Sequence, residues 1–234
     1  FVIAIIASKM GIDVQLARIL LLPFGKRSEF VLLGFLLVTG IFSMFISNTA
    51  TAAMMLTFMA PVLRQLPEDD KGRIGLVMAI PIGANIGGMA TPVGTPPNAI
   101  ALKYLNDPAG LGFNIGFGDW AMVMMPFTIL LLILAWLLLI KLFPFKDKEI
   151  HLNIEGNTVK GPRLVIAYIT LGLTIVLWLL DKVTGINANT VAMIPIAIFC
   201  VTGLFGKEDL KEINWDVLWL VAGGFALGIA LQNS

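Results

Sequence analysis

The chain has 234 residues, 58% of them hydrophobic and 13% charged, with a formal net charge of +1. Soluble domains carry about 25% charged residues, so this composition excludes an ordinary soluble domain and predicts an all-α polytopic membrane protein in a lipid bilayer. The sequence has no basic patch interleaved with aromatic residues, so we expect no nucleic acid among its partners. Its one cysteine and one histidine can form neither an internal disulfide nor a His/Cys metal site.

The first two predicted elements are a helix end and an amphipathic helix. Phe1–Ala7 is apolar but much shorter than the roughly 20 residues that a spanning helix needs, so it predicts the end of such a helix. Residues 11–25 mix polar side chains such as Asp13 and Arg18 with aliphatic ones, which predicts a helix lying in the membrane interface. The sequence begins and ends in apolar runs, and we expect it to be a fragment of a longer protein.

A polar tip interrupts the next apolar run. Residues 30–63 contain no charged side chain, yet Ser47, Asn48 and Thr49 lie near their centre. An unsatisfied polar group is costly in lipid, so these side chains should face protein, water or a ligand. A re-entrant hairpin fits this pattern best, with its two helices over 30–46 and 50–63. One long kinked helix is the alternative.

A second interruption lies within the uncharged residues 74–102. Proline donates no backbone hydrogen bond and resists a continuous helix. The segment therefore predicts a half-helix over 74–90, a break over 91–97 and a short helix over 98–105. The residues expected to support the break are Thr91, Pro92, Thr95, Pro97 and Asn98. A proline-kinked helix is the alternative, but two broken segments in one chain indicate a transporter binding site.

The rest of the chain alternates spanning helices and loops. The spans are predicted over 120–143, 163–180, 190–205 and 215–231. The connections are a polar linker from residue 144, a turn over 181–187 and a charged loop over 206–214. The acidic turn at 68–70 and the charged residues 146–149 are interpreted as exposed to solvent.

The distribution of Lys and Arg predicts the orientation. These residues gather in the loops 26–27, 64–73, 141–163 and 207–211. The opposite side has only Lys103 and Lys182. Because cytoplasmic loops carry an excess of positive charge, the first group should be cytoplasmic. A full span over 30–63 would put its two flanking basic loops on opposite faces, so the orientation also favours the re-entrant hairpin.

The two breaks offer neutral groups that suit an anion together with a cation. Hydroxyl groups come from Ser47, Thr49 and Thr95, and an amide comes from Asn48. The helix that begins near Ala50 would present free N–H groups and a positive dipole, which favour an anion. Carbonyl groups at the end of the preceding helix and in unwound backbone favour a small cation such as Na⁺. Neither broken segment carries Lys or Arg, so the pattern indicates cation-coupled anion transport.

The residues of both breaks are similar to those of a known family. Residues 43–55 read SMFISNTATAAMM and residues 87–98 read GGMATPVGTPPN, and together they resemble the divalent anion/sodium symporter family. That resemblance implies an inverted-repeat transporter rather than an enzyme, one that moves C4-dicarboxylates (succinate, malate or fumarate) or citrate with Na⁺. It also implies a homodimer in the bacterial inner membrane whose transport domain moves as an elevator.

The resemblance further assigns roles to residues of this chain. The anionic substrate would be bound by Ser47, Asn48 and Thr49. Sodium would be coordinated by Ser43, Ser47, Asn48 and Gly94. The family's second Ser-Asn-Thr signature and second sodium site are absent from this sequence. The chain would therefore hold half of a binding site, and we expect no transport by the chain alone.

The same resemblance divides the chain into five parts. These are the end of a scaffold helix with an interfacial helix (1–25), part of the transport domain (26–143), a cytoplasmic linker (144–162), scaffold helices (163–205), and an interfacial loop with the start of a second-repeat helix (206–234).

Three alternatives stay open. Within the family, a sodium-independent dicarboxylate exchanger or a sulfate transporter would use similar residues. Outside it, Gly116-Phe117-Gly118-Asp119 fits the Gly-x-Gly-Asp pattern of intramembrane aspartyl proteases. Such a protease needs two carboxylates that share a site, and no second Asp lies inside a predicted span. Asp119 is instead interpreted as a helix N-cap.

Overall fold

The computed structural model describes residues 1–108, 110–150 and 161–232, which are mostly helical and contain no β-strand. The helices in chain order are α1 (Val2–Lys9), α2 (Ile12–Leu21), α3 (Ser28–Ser43), α4 (Asn48–Leu63), α5 (Gly72–Gly88), α6 (Pro96–Leu105), α7 (Phe117–Leu142), α8 (Pro162–Leu179), α9 (Asp181–Thr184), α10 (Ala188–Val201) and α11 (Trp215–Gln232). The predicted all-α class is confirmed.

The long helices fall where spans were predicted. In the described part of the chain, α7 and α8 are long and apolar enough to cross a membrane, whereas α3, α4 and α10 are apolar but shorter. Helix α10 ends at Val201 rather than at the predicted Phe205. The reason is Gly203, whose φ of 66° lets the backbone turn back on the helix. The N–H groups of Gly203 and Leu204 then donate to the carbonyls of Cys200 and Phe199.

Both predicted breaks are present, so the continuous kinked helix is wrong for residues 28–63. Residues 44–47 separate α3 from α4, and residues 89–95 separate α5 from α6. The first break lies earlier than the predicted residues 47–49, because α3 ends at Ser43 and α4 begins at Asn48 rather than near Ala50. The Ser47 hydroxyl caps that helix by accepting from the N–H of Ala50 at 3.4 Å. Asn48 and Thr49 therefore lie in the first turn of α4.

The two open ends of the α3–α4 hairpin lie at one end of the structure. At the start of α3, the Ser28 hydroxyl donates to the carbonyl of Asp147 at 2.6 Å. Just after the end of α4, the Leu66 carbonyl accepts from the Arg73 guanidinium at 3.0 Å. The connection between Leu66 and Arg73 contacts the same 145–150 segment through Asp70. This arrangement agrees with the charge distribution, which places all these basic loops on one face.

One of the two interpretations of charged segments is confirmed, and the other is wrong for one residue. Residues 146–149 are exposed to solvent as predicted, although Ile150 after them is fully buried and its N–H donates to the Lys26 carbonyl at 2.7 Å. In the turn over 68–70, the first two residues are exposed as predicted, but Asp70 is only 2% exposed, and its carboxylate accepts from the N–H groups of Gly72 at 2.7 Å and Lys146 at 3.1 Å. The prediction is wrong for Asp70 because backbone donors can satisfy a buried carboxylate. Residues 151–160 of the predicted linker lie outside the described residues.

Helices α3 and α5 approach closely at glycines. A Cβ atom on Gly87 would lie 2.6 Å from the carbonyl carbon of Gly40, and one on Gly83 would lie 2.6 Å from the carbonyl oxygen of Leu36. Small residues of this kind let helix backbones approach in membrane proteins. The pair forms the centre of a core to which α2, α4 and α7 also contribute, with Phe35, Met59 and Leu132 among its buried side chains.

A separate contact joins the start of α7 to the end of α8. The rings of Phe117 and Trp178 stack with centroids 5.2 Å apart and planes inclined by 9°. The Asp181 carboxylate accepts from the N–H of Phe117 at 2.6 Å, and the Lys182 ammonium lies 2.6 Å from the Asp119 carboxylate. Asp119 is in the first turn of α7 and accepts from the N–H of the N-cap, so it supports the helix start without being the N-cap itself.

The ion pair between Lys9 and Asp209 gives a pH-dependent prediction. The Lys9 ammonium lies 2.8 Å from the carboxylate, and its hydrogen bond, with that from the Gly206 N–H, holds the pKa of Asp209 below its ordinary value of 3.8. A lowered folded-state pKa stabilises above the unfolded-state pKa, and the effect is lost as pH falls through the folded-state value. We expect Lys9→Met to lower the midpoint temperature of unfolding, Tm, at pH 7, and the difference from wild type to shrink below about pH 4.

Thermal unfolding of both proteins at several pH values checks this expectation. Lys207→Met, in the same charged loop as Asp209, serves as the control for simple loss of a positive charge. A Lys9→Met effect that stays constant from pH 7 to pH 3 would contradict a role for the Asp209 charge.

Candidate functional site

The turn of the hairpin and the break after α5 interlock. The buried Thr91 hydroxyl donates to the carbonyl of Met44, in the hairpin turn, and accepts from the N–H of Gly94 at 3.1 Å. Gly94 packs so tightly that a Cβ atom there would lie 2.5 Å from the Gly88 carbonyl oxygen and 2.9 Å from the Ser43 carbonyl oxygen. Position 94 therefore requires glycine, and the two breaks form one structural unit.

The predicted support of the break comes mainly from Thr91 and Asn98. Asn98 is 8% exposed and donates from Nδ2 to the carbonyls of Gly88 at 2.9 Å and Thr91 at 2.8 Å. It thus satisfies one carbonyl group at the end of α5, which has no helical partner, and one in the break itself. Thr95 is the N-cap residue of α6 but makes no side-chain cap. Of the two predicted prolines, Pro92 is buried in the break, whereas the placement of Pro97 in the break is wrong: it is exposed in the first turn of α6, where a proline lacks no helical hydrogen bond.

Oxygen atoms converge beneath the hairpin turn. The fully buried Ser43 Oγ lies 2.7 Å from Asn48 Oδ1 and also 2.7 Å from the carbonyl oxygen of Ala84. A hydroxyl has one proton and can donate it to only one of these two acceptors. The cluster therefore has oxygen lone pairs in excess of protons, which is the environment that a small hard cation prefers. The described residues contain no group of His, Cys, Asp or Glu that could hold a metal, so any cation here would depend on neutral oxygens.

The remaining predicted site residues lie at the start of α4. Ser47 is half-buried and Thr49 is exposed. The N-terminus of α4 adds free N–H groups and positive dipole at the same place. The structure thus brings Ser43, Asn48 and Gly94 into one contact region, while the Ser47 hydroxyl is directed to the backbone of α4. Neutral donors for an anion lie beside oxygen atoms for a cation.

Sequence reasoning missed Asn85. This residue is on the exposed side of α5, and its Oδ1 accepts from Asn48 Nδ2 at 3.0 Å. It was overlooked because it lies within the half-helix rather than in either break. The available signal was a lone amide side chain in the uncharged residues 74–90, where a polar group needs a partner.

A large open cleft lies elsewhere, at the start of α6 and the α9–α10 loop. It has a volume of about 1150 Å³, and its lining includes Val93 and Lys103 but neither Asn48 nor Ser43. The oxygen cluster formed by Ser43, Asn48 and Ala84 therefore lies outside this cleft.

Comparison with known proteins gives consistent relatives. Residues 1–234 match the citrate transporter family. The chain is 36% identical, over its whole length, to an uncharacterised transporter of Schizosaccharomyces pombe, of which it covers 27%. It is 31% identical, over 90% of its length, to a low-affinity phosphate transporter of Saccharomyces cerevisiae, of which it covers 24%. It is 29% identical, over its whole length, to a sodium-dependent dicarboxylate transporter of Staphylococcus aureus, of which it covers 51%. The chain thus spans from about a quarter to about half of these relatives.

Proposed function

The chain belongs to the citrate transporter family, and on that premise we propose that it is part of a sodium-coupled secondary transporter of divalent anions. The membership confirms the resemblance predicted from the two motifs and the prediction of a multi-pass integral membrane protein. The family and its relatives are transporters rather than enzymes, so the protease alternative is wrong. The bacterial inner membrane is our proposed location.

The observation that carries this proposal is the convergence of three oxygen atoms. Ser43 Oγ lies 2.7 Å from Asn48 Oδ1 and 2.7 Å from the carbonyl oxygen of Ala84. Sodium would bind at this cluster, with Ser43, Ser47, Asn48 and Gly94 as the proposed contributors. Gly94 would contribute backbone groups, since glycine has no side chain and the packing leaves no room for one. The anion would bind Ser47, Asn48 and Thr49 at the start of α4, where the helix dipole attracts negative charge. Sodium beside it would offset that charge, since no Lys or Arg lies in either broken segment.

The proposed substrates are C4-dicarboxylates or citrate. Relatives named as sodium-dependent dicarboxylate transporters are 26% to 29% identical over the whole chain. Inorganic phosphate is a second candidate, because two yeast relatives named as phosphate transporters are 31% and 32% identical. Both are compact anions of the kind that hydroxyl groups and a helix N-terminus bind. Sodium-independent exchange and sulfate transport stay as alternatives.

We propose an elevator mechanism and a homodimer. Helices α3, α4, α5 and α7 share one core, and residues 26–143 would form the moving part. Helices α1, α8 and α10 contribute to a second core, and residues 163–205 would belong to the scaffold. Helix α2 contributes side chains to both cores, which suits a connecting arm.

Uptake by the full-length protein in proteoliposomes tests the function. We expect radiolabelled succinate uptake to require an inward sodium gradient, with citrate and phosphate measured in parallel. Asn48→Ala should reduce uptake by roughly 10- to 100-fold, the effect of losing a hydrogen bond to a charged group. Asn189→Ala, which removes an exposed amide on α10, serves as the control. Uptake that needs internal anion but no sodium would indicate an exchanger, and unchanged uptake by Asn48→Ala would contradict the site.

A further inference from the structure

Asn48 is held between one partner on α3 and one on α5. The first is Ser43, whose Oγ lies 2.7 Å from Asn48 Oδ1 and also 2.7 Å from the Ala84 carbonyl oxygen. The other is Asn85, whose Oδ1 accepts from Asn48 Nδ2 at 3.0 Å. The backbone of Gly88 closes the space beneath the amide, since a Cβ atom there would lie 2.7 Å from Asn48 Oδ1. The amide plane of Asn48 is therefore confined, and its remaining freedom is the exchange of its oxygen and nitrogen.

That exchange decides whether a cation can bind. With Oδ1 directed at Ser43, three oxygen atoms converge and offer lone pairs to a cation. With the amide reversed, an NH₂ group would enter the cluster, and its partial positive charge would oppose a cation. Ser43 cannot select between the two states, because a hydroxyl can both donate and accept. Selection must come from the other end of the Asn48 amide, where the Asn85 side chain can select a state once the orientation of its own amide is fixed.

We propose that Asn85 is a positioning residue, whose carbonyl oxygen holds the Asn48 amide in the orientation that binds the cation. This inference rests on the proposed function. When Asn85 Oδ1 accepts from Asn48, the Asn85 NH₂ group is directed elsewhere, and among the described residues it has no hydrogen-bond partner. Asn85 is exposed on the side of α5 that faces the start of α4. An anion that accepts from this NH₂ group would hold both amides in the cation-binding orientation.

This arrangement couples the two ligands. An anion at Asn85 favours the Asn48 orientation that binds sodium, and by thermodynamic linkage sodium favours the anion equally. The side chain thus has two separable roles, since its oxygen acts toward the cation and its nitrogen acts toward the anion.

Two substitutions separate the roles. Asn85→Leu has a similar size but removes both, so the sodium concentration for half-maximal uptake should rise about tenfold. Asn85→Asp keeps acceptor oxygens that can only receive a hydrogen bond from Asn48. It should keep the sodium requirement within about twofold of wild type, whereas its KM for the anion should rise about tenfold through the lost donor and added negative charge.

The experiment is sodium and anion titration of uptake by the full-length wild type, both variants and the Asn189→Leu control in proteoliposomes. A sodium requirement raised in Asn85→Leu and restored in Asn85→Asp supports the inference. Sodium-dependent wild-type uptake with an unaltered sodium requirement in Asn85→Leu would overturn this inference alone. An equally raised sodium requirement in both variants would also overturn it, because the acceptor role would be absent. Wild-type uptake that ignores sodium would overturn the proposed function and this inference together.

Discussion

In the full-length protein, the Gly87→Ala variant is expected to unfold at a clearly lower temperature than wild type and to lose the proposed anion uptake. The added Cβ atom would lie 2.6 Å from the Gly40 carbonyl carbon and closer still to its Cα and oxygen. These are backbone atoms, so no side-chain rotation relieves the overlap and α3 must move away from α5. Overpacking costs about 1–3 kcal/mol and occasionally more, and the upper value corresponds to a Tm lowered by roughly 6–12 °C.

Uptake should fall in the same variant because the contact between Ser43 and Ala84 bridges the same two helices. Gly172→Ala is the matched control, since Gly172 is also within a helix and has open space around its Cβ position. Scanning fluorimetry in detergent measures the Tm of both variants. Equal Tm values for Gly87→Ala and Gly172→Ala would show that the α3–α5 contact tolerates separation, against the prediction.

The second large effect is expected for Asp70→Ala, which should destabilise the protein by about 3 kcal/mol. The carboxylate accepts from the N–H of Gly72 at 2.7 Å through one oxygen and from the N–H groups of Lys146 and Asp147 at 3.1 and 3.4 Å through the other. Removing it leaves buried or half-buried donors without partners. Asp70→Asn should be intermediate, because one oxygen remains while its NH₂ group faces donors.

Asp69→Ala is the control, at the adjacent position. Asp69 pairs with the Lys146 ammonium, but its side chain is 73% exposed, and exposed pairs contribute about 0–1 kcal/mol. The measurement is Tm in detergent, combined with the rate of tryptic cleavage near Lys148. A similar loss for Asp69→Ala and Asp70→Ala would mean that removal of a negative charge, rather than loss of backbone hydrogen bonds, causes the effect.

The sequence by itself determined the helical class, the positions of the helices and both breaks. These features follow from local properties, because an uncharged run of sufficient length partitions as a helix and a polar or proline-rich interruption ends it. Ser43, Asn48 and Gly94 could be proposed as site residues because they lie in two short motifs that resemble those of a known family. The exact start of α4 could not be predicted, since a cap at Ser47 and a cap at Thr49 are equally compatible with the sequence.

Only the tertiary structure decided which distant groups meet. Asn85 contacts Asn48 across 37 positions, and Asp70 contacts Lys146 across 76. Neither contact is encoded in a periodic pattern, because each depends on how segments that are distant in the chain pack against one another, as α3 and α5 do at Gly40 and Gly87. Burial of a polar group is likewise a property of its neighbours rather than of its own type. The sequence determined which segments are helical, and packing determined which oxygen atoms converge between them.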